Sequence, residues 1–270
     1  MKLGGRHILL TLIGALASLE AAGHAPVVPG GAPAKGHPAV PDWNGVWVIA
    51  GDFMDKQDGT EVAAPGRFDP AEQASLAANL PAYQGKYLED YRASQKAIAA
   101  GKPVEDRGAM CLPQGMPAFW EGPYAFEIVQ TRRQINISQE WNEQTRRIYL
   151  DERRQPADVQ PTYNGHSIGR WEGAALVIDT VGIREDTHMT GDAGGTHSDA
   201  MHITERLRGE GPDRLEVVMT VEDPKAFSRP WVETVHLHRK HGMEMMEYVC
   251  EENNRNPVSP SGVTEAILGK

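Results

Sequence analysis

The sequence predicts a mainly β protein: an antiparallel up-and-down barrel of about ten strands with a helical insert, with a two-sheet β-sandwich as the alternative. From residue 125 onward, runs rich in β-branched and aromatic residues alternate with turn residues at short intervals. Tight connections at 171–173 and 239–242 join consecutive runs, as expected of neighbouring antiparallel strands. This part of the sequence contains no long segment with the hydrophobic periodicity of a helix.

The individual elements follow from local patterns. Residues 43–49 combine Trp with β-branched residues and predict the first strand. A helical insert is expected at 69–100, where Asp69 is typical of an N-cap and Pro70 of the first helical position. Its second stretch, 83–100, ends before a glycine. The later strands are predicted at 125–130, 134–141, 146–150, 166–172, 175–181, 200–208, 215–221, 232–238 and 243–250.

The first residues have the layout of a secretory signal peptide, which we expect at 1–25. Lys2 and Arg6 precede an apolar run at 8–19 that is too short to span a bilayer, and small residues follow it at 23–25. The sequence therefore predicts a periplasmic or secreted protein with no membrane span.

Composition limits the remaining choices of domain and partner. A Pro- and Gly-rich lead-in at 26–41 and a tail at 257–270 flank one expected barrel domain at 42–256. The chain has 27 Lys and Arg against 37 Asp and Glu, a net charge of -10. Proteins bind nucleic acids mainly through contacts of Lys and Arg with phosphate groups. Because this chain is acidic, we expect no nucleic-acid partner.

The chain contains two cysteines, Cys111 and Cys250. In an oxidising compartment, a lone pair so far apart in sequence is most simply a structural disulfide. Two free thiols are the alternative, although neither cysteine lies in a recognisable nucleophile motif.

Several motifs resemble known proteins. Gly45 and Trp47 on the first strand form the Gly-x-Trp pattern seen at the start of lipocalin-type barrels, where the Trp plugs the closed end. A second resemblance, over about 42–254, is to a family of secreted bacterial proteins that carry no assigned function, and it implies a single domain. The shared motifs are CLPQGMP at 111–117, GHSIGRWEG at 165–173, LVIDTVG at 176–182, HSDAMHITER at 197–206 and EDPKAF at 222–227.

The first candidates for chemistry are imidazoles and carboxylates grouped in the strands near these motifs. Imidazole can act as a general base near neutral pH, and a carboxylate beside it can set its tautomer. The predicted catalytic residues are His166, His197, Asp199, Glu205 and Arg170.

The facing of the strand at 199–208 is left open by the sequence. Alternation places Asp199, Met201, Ile203 and Glu205 on one face and His202 on the other. If the first face is inward, the two carboxylates need buried partners, for which Arg170 and Arg147 are candidates. If that face is outward, Arg206 and Arg208 can pair with them at the surface.

A second group of residues suits ligand binding. Aromatic and thioether side chains follow Cys111 in a Pro-rich loop that could either cover the mouth of a barrel or simply plug it. His188 lies in a long loop where the chain departs from the bacterial family, so we expect it to affect ligand preference. The predicted ligand-binding residues are Met116, Trp120, Tyr124, Phe126, His188 and Met201.

Together these patterns predict binding of a small hydrophobic or aromatic molecule in the barrel cavity, with possible acid–base transformation of the lyase, isomerase or hydrolase type. The alternative is a non-catalytic envelope carrier or assembly partner. No nucleotide loop or flavin fingerprint occurs, so no cofactor is expected. The closest compact pair of metal-ligating residues is His236 and His238, which alternation places on one strand face. Such a pair is more often a solvent-facing polar row, so no metal is expected.

Overall fold

The computed structural model describes residues 40–51, 53–56, 79–122, 124–190, 194–252, 254–260, 262 and 264. The predicted signal peptide, nearly all of the lead-in and the first helix of the insert lie outside these residues. The described part is mainly β. Its nine strands are β1 (Gly45–Ile49), β2 (Phe126–Gln130), β3 (Gln134–Gln139), β4 (Gln144–Tyr149), β5 (His166–Glu172), β6 (Ala175–Val181), β7 (His202–Gly209), β8 (Arg214–Glu222) and β9 (Trp231–Lys240).

The helical content is small. Two α-helices are described, a single turn α1 (Phe53–Lys56) and the longer α2 (Gly85–Ala99), which confirms the predicted helical stretch at 83–100. Short 3-10 helices occur at Ala118–Glu121 and Trp141–Glu143. Among the described residues, no helix has the length and apolar character needed to cross a membrane.

The strands form one closed barrel in sequence order, which confirms the β-barrel class and excludes the sandwich. All neighbouring pairs are antiparallel except β4 and β5, which pair in parallel with Ile148 opposite Ser167. A closed ring with an odd number of strands cannot alternate direction throughout, so one parallel pair is required. The connection 150–165 carries the chain back along the barrel to make it, and the all-antiparallel prediction is therefore wrong at this point.

The predicted tenth strand at 243–250 does not form. β1 already pairs with both β2 and β9, so the closed ring offers no free edge to a further strand. Instead, Met243 and Met245 pack on the outside of the barrel against Val46 and Val48. The disulfide between Cys111 and Cys250 is present and ties this segment to the loop after α2.

The two ends of the barrel differ in their connections. The loop-bearing end, as we call it, carries the long connections 50–125, 182–201 and 223–230, together with the turn between β3 and β4. The opposite, closed end carries the short turns 131–133, 173–174 and 210–213, and the connection 150–165 runs from this end to the start of β5 at the loop-bearing end. At the closed end, Trp43 packs 5.0 Å from Trp171, and the Trp47 indole donates to the Trp43 carbonyl oxygen at 2.9 Å.

Inward-facing side chains fill the barrel. Buried apolar residues from every strand except β5 form one continuous core. At the loop-bearing end this core continues into residues 116–120, which we call the plug. Met116, Phe119 and Trp120 of the plug are all at most 1% exposed.

Candidate functional site

An ion pair lies inside the barrel below the plug. Arg146 of β4 and Glu205 of β7 face each other across the interior, with side chains 1% and 0% exposed. The Arg146 guanidinium donates to both oxygens of the Glu205 carboxylate, through Nη1 to Oε1 at 2.8 Å and through Nη2 to Oε2. Trp120 of the plug reaches down and donates its indole N–H to Oε1 at 2.7 Å.

Two hydroxyl groups complete this interior network. Ser167 Oγ accepts from Arg146 Nε at 3.2 Å, and Thr180 Oγ1 accepts from Arg146 Nη2 at 2.9 Å. The two hydroxyl oxygens are themselves 2.9 Å apart. A buried charge is tolerated only when it is paired and hydrogen-bonded, and both charges here are.

The open question of strand facing is thereby settled for the β7 region. Met201, Ile203 and Glu205 are buried, so Glu205 is the inward carboxylate. Asp199 precedes the strand and is exposed, paired with Lys225. The prediction that Arg147 or Arg170 pairs with Glu205 is wrong. Arg147 is exposed, and Arg170 pairs outside the barrel with Glu172 at 3.0 Å.

Most of the predicted ligand-binding side chains are core residues. Met116, Trp120, Phe126 and Met201 are at most 3% exposed, and the Trp120 and Phe126 rings pack 5.6 Å apart. Tyr124 is half-buried, with its ring 6.0 Å from that of Trp141 and 5.2 Å from that of Tyr248. Met116, Trp120 and Phe126 therefore pack within the core, whereas Tyr124 does not belong to it.

Unpartnered polar atoms are concentrated at the loop-bearing end. Seven buried side-chain nitrogens and oxygens have no hydrogen-bond partner among the described residues, and all but Arg239 Nε lie in the loops of this end. Such atoms are uncommon in folded proteins, and each one calls for a partner from outside the chain or a functional reason. The six are Arg107 Nη2, Gln114 Nε2, Gln114 Oε1, Asn142 Oδ1, Asn164 Oδ1 and His188 Nδ1.

Arg107 is the most deeply buried cation of these loops, at 2% exposed. Its Nε donates to the Pro113 carbonyl oxygen at 2.8 Å and its Nη1 to the Asp186 carbonyl oxygen at 2.7 Å. The guanidinium also lies over the Tyr163 ring, 4.8 Å from its centroid. These contacts fix the side chain while leaving Nη2 unused.

His188 lies close enough to Arg107 to respond to its charge. Burial lowers the pKa of His188 to about 4, and the charge of Arg107 acts in the same direction. The imidazole is therefore neutral at pH 7. Its Nδ1 is buried and has no partner among the described residues.

His197 is also in these loops, but both of its ring nitrogens are occupied. Nδ1 lies 3.0 Å from the Ser198 carbonyl oxygen, and Nε2 lies 2.7 Å from Thr187 Oγ1. Burial lowers the pKa of His197, so the ring is neutral. Because a carbonyl only accepts, Nδ1 carries the proton and the Thr187 hydroxyl donates to Nε2. His197 can thus hold the loop that carries His188.

The loops from different parts of the chain meet at Thr187 and Gly115. The Met116 amide donates to the Tyr163 carbonyl oxygen at 2.9 Å, and Thr187 Oγ1 lies 3.0 Å from the Met116 carbonyl oxygen. A β-carbon on Gly115 would lie 2.5 Å from the Tyr163 carbonyl oxygen and 2.6 Å from the Thr187 methyl carbon. Only glycine permits this approach. We call Arg107, Tyr163, Asp186 and His188, held by these contacts, the loop site.

His166 lies outside the barrel and is not part of the loop site. Its Nδ1 lies 2.7 Å from Gln155 Oε1, and Gln155 Nε2 donates to Asp179 Oδ1 at 2.8 Å. The other Asp179 oxygen lies 2.6 Å from His202 Nε2. Burial, followed by the Arg153 charge, lowers the pKa of His166. The barrel wall therefore separates His166 from Glu205, and the predicted catalytic residues do not form a single site.

One group of side chains at the closed end has the spacing of metal ligands. Glu210, Glu216 and His236 each offer a ligand atom, and these atoms lie within 4.8 Å of one another. Arg208 already pairs with both glutamates, at 3.5 Å and 2.9 Å. Arg208 thus already neutralises part of the negative charge of this cluster.

The functional residues that sequence reasoning missed are Arg107 and Arg146. Arg146 shares a strand face with Ile148, so period-two alternation could have placed it inside the barrel. Arg107 stands in an irregular loop, where no period applies, and only the folded structure shows that it is buried. No protein-family model matches the chain, and no curated protein matches it significantly.

Proposed function

We propose that this protein binds a small molecule at the loop-bearing end of its barrel and acts on it by acid–base chemistry of the lyase, isomerase or hydrolase type. The observation that carries this proposal is the concentration of buried, unpartnered polar atoms in the loops of that end, with Arg107 Nη2 and His188 Nδ1 among them. Two hydrogen bonds hold the Arg107 side chain in place, and the contacts of Thr187 fix the chain beside His188, as preorganised sites require.

The two side chains suit complementary roles. A neutral imidazole can take a proton from a bound substrate at Nδ1, while the electron pair of the broken bond to hydrogen remains on the substrate. The guanidinium of Arg107 can then stabilise the negative charge that develops on a substrate oxygen. In a buried site, where water does not compete, such a hydrogen bond is stronger than at the surface.

The barrel class and the disulfide support two further parts of the proposal. Trp47 lies near the closed end, with Arg239 4.6 Å from its ring centroid, which supports a lipocalin-like arrangement. The disulfide between Cys111 and Cys250 supports a periplasmic or secreted location, as do the features of a signal peptide at 1–25. Membership of the secreted bacterial family is proposed on its motifs alone.

A second candidate function, an assembly partner, is favoured by apolar exposure outside the barrel. Met246, Val249 and Val258, all in the segment after β9, are 65%, 42% and 63% exposed. Exposed apolar groups of this kind are typical of contact surfaces when they are contiguous. A protein that acts only in this way would not need unpartnered polar atoms at the loop-bearing end.

The test is a comparison of small-molecule conversion by the wild type and His188→Gln. Each protein is incubated with a small-molecule extract of its host, and the compounds are followed by mass spectrometry. We expect at least one compound to be consumed by the wild type and not by His188→Gln. The matched control is His166→Gln, which changes a histidine outside the barrel and should leave conversion intact. Equal conversion by wild type and His188→Gln would refute the assignment.

A further inference from the structure

The unused donors of Arg107 indicate the chemistry of the ligand. A guanidinium offers five N–H donors in a fixed fork, and those on Nη2 meet no acceptor among the described residues. Leaving such a donor unpaired away from water is energetically costly, and more so when the group is charged. The surrounding loops nevertheless bury 98% of this residue's surface, since it is 2% exposed. An acceptor supplied by a ligand would recover this cost.

The positive charge of Arg107 is only partly balanced by the chain. It forms an ion pair with Asp186, but Oδ2 lies 3.6 Å from Nη1, beyond hydrogen-bond distance. Asp186 is already engaged by Arg184, whose Nε and Nη2 donate to its two oxygens at 2.8 Å and 2.7 Å. This pairing lowers the pKa of Asp186 to about 2. The one carboxylate of Asp186 is therefore shared between the guanidinium groups of Arg107 and Arg184. An anionic ligand would supply the missing negative charge.

His188 is compatible with an anion at this position because it is neutral. A neutral imidazole brings no charge of its own, and its Nδ1 can either donate to a ligand oxygen or accept from a ligand hydroxyl. The apolar residues first expected to line the site, such as Trp120 and Phe126, are instead packed inside the core. The groups left available to a ligand are thus polar.

We propose that the ligand of the loop site is a small organic anion, one oxygen of whose carboxylate accepts hydrogen bonds from Arg107 Nη2. This inference rests on the proposed function, since it assigns the substrate class of the same site. It replaces the neutral hydrophobic molecule that the sequence suggested with a carboxylate. Carboxylate recognition by a planar guanidinium is both charge-assisted and geometrically specific.

The first experiment compares two probes of the same shape and different charge. Benzoate and benzamide are titrated into the wild type at pH 7, and the ring signals of His188 are followed by NMR. We expect benzoate to shift these signals with an affinity at least tenfold higher than that of benzamide. Equal affinities would overturn the anionic assignment and leave small-molecule binding at this end intact. If neither probe moves the His188 signals, this inference and the proposed binding site both fail.

The second experiment assigns the preference to Arg107. In Arg107→Gln we expect benzoate to lose its advantage over benzamide. The matched control is Arg153→Gln, because Arg153 lies over the Tyr149 ring at 3.7 Å and donates to Asp151, away from the loop site. That variant should keep the preference. A preference that survives in a folded Arg107→Gln protein contradicts the assignment.

Arg107→Gln also removes two contacts to backbone carbonyls, so its folding has to be checked by circular dichroism. If it does not fold, Arg107→Lys replaces it. A lysine keeps the charge but cannot present the planar fork, so we expect benzoate to bind more weakly, by about threefold or more, and still better than benzamide. Unchanged benzoate affinity in Arg107→Lys would overturn the role of the guanidinium.

Discussion

The Glu205 carboxylate and the Arg146 guanidinium form an ion pair inside the barrel, with Oε1 2.8 Å from Nη1 and neither side chain more than 1% exposed. Removing two charges from water is expensive, and their attraction offsets this cost only when hydrogen bonding is nearly complete. Here the Trp120 indole and two hydroxyl groups complete it. The pair therefore fixes how the plug meets the barrel more than it adds to stability.

This view predicts the outcome of a double-mutant cycle. Glu205→Leu alone leaves a buried, unpaired guanidinium and should lower the free energy of unfolding by about 3–5 kcal/mol. Arg146→Met combined with Glu205→Leu removes both charges and should cost much less than either change alone. Urea denaturation measures all three variants. The control is Arg170→Ala, which breaks an exposed pair and should cost about 0.5 kcal/mol. Additive single effects would show that the pair is not coupled.

The strands were predictable from sequence because the barrel keeps inside and outside distinct. Eight of the nine strands overlap a predicted run by nearly their full length, and β4 begins two residues early. The false strand at 243–250 begins with the same alternation, in Met243, Glu244 and Met245. Its Met243 and Met245 do face apolar groups, but those groups lie on the outside of the barrel. Alternation detects a buried face and does not reveal whether a free edge exists to pair with it.

The candidate site was less predictable, since it depends on loops. Local sequence indicates that His188 and His197 lie in one long connection, and the structure does place both in the loops of one end. It could not indicate that Arg107, 81 residues earlier in the numbering than His188, would lie near it. That proximity results from the contacts of Pro113 and Asp186 with the guanidinium. Irregular segments have no period from which such contacts can be inferred.

The stability of the protein should depend on pH through His188. Its pKa is about 4 in the folded protein and near 6.5 when the chain is unfolded. Between these values the unfolded chain binds a proton that the folded protein excludes, so stability falls as pH decreases from 6.5 to 4. The full contribution is about 3 kcal/mol.

Denaturation curves at several pH values measure this effect. His188→Gln has no group that titrates in this range, so its loss of stability between pH 6.5 and 4 should be smaller than that of the wild type. Titratable groups that do not interact with His188 contribute equally in both proteins and cancel in the comparison. Parallel pH profiles for the two proteins would contradict the prediction.

A methyl group at Gly115 should separate the loops that form the loop site. Gly115 has φ +73°, and a β-carbon there would meet the Tyr163 carbonyl oxygen at 2.5 Å. We expect Gly115→Ala to lower the free energy of unfolding by about 2–4 kcal/mol, the sum of backbone strain and the clash. The matched control is Gly173→Ala, with φ +64° and nothing within 4 Å, which should show the strain alone, about 1 kcal/mol. Equal losses in the two variants would mean that the loops adjust freely.

The disulfide should stabilise both the whole fold and the segment after β9. It closes a loop with a sequence separation of 139. Because the cross-link lowers the conformational entropy of the unfolded chain, we expect it to contribute about 4–5 kcal/mol to the free energy of unfolding. The double variant Cys111→Ala with Cys250→Ala should lose this amount in urea denaturation. Adding a reductant should then affect the wild type and leave the variant unchanged.

The same variant tests whether the disulfide holds the segment locally. Outside the barrel, Met243 and Met245 are only partly buried, and no strand pairing secures them. Without the link at Cys250, we expect limited proteolysis to cut within 243–252 well before the strands are attacked, because cleavage follows local opening. Mass spectrometry of the fragments identifies the site. If the segment resists cleavage as well as it does in the wild type, its noncovalent contacts are sufficient to hold it without the disulfide.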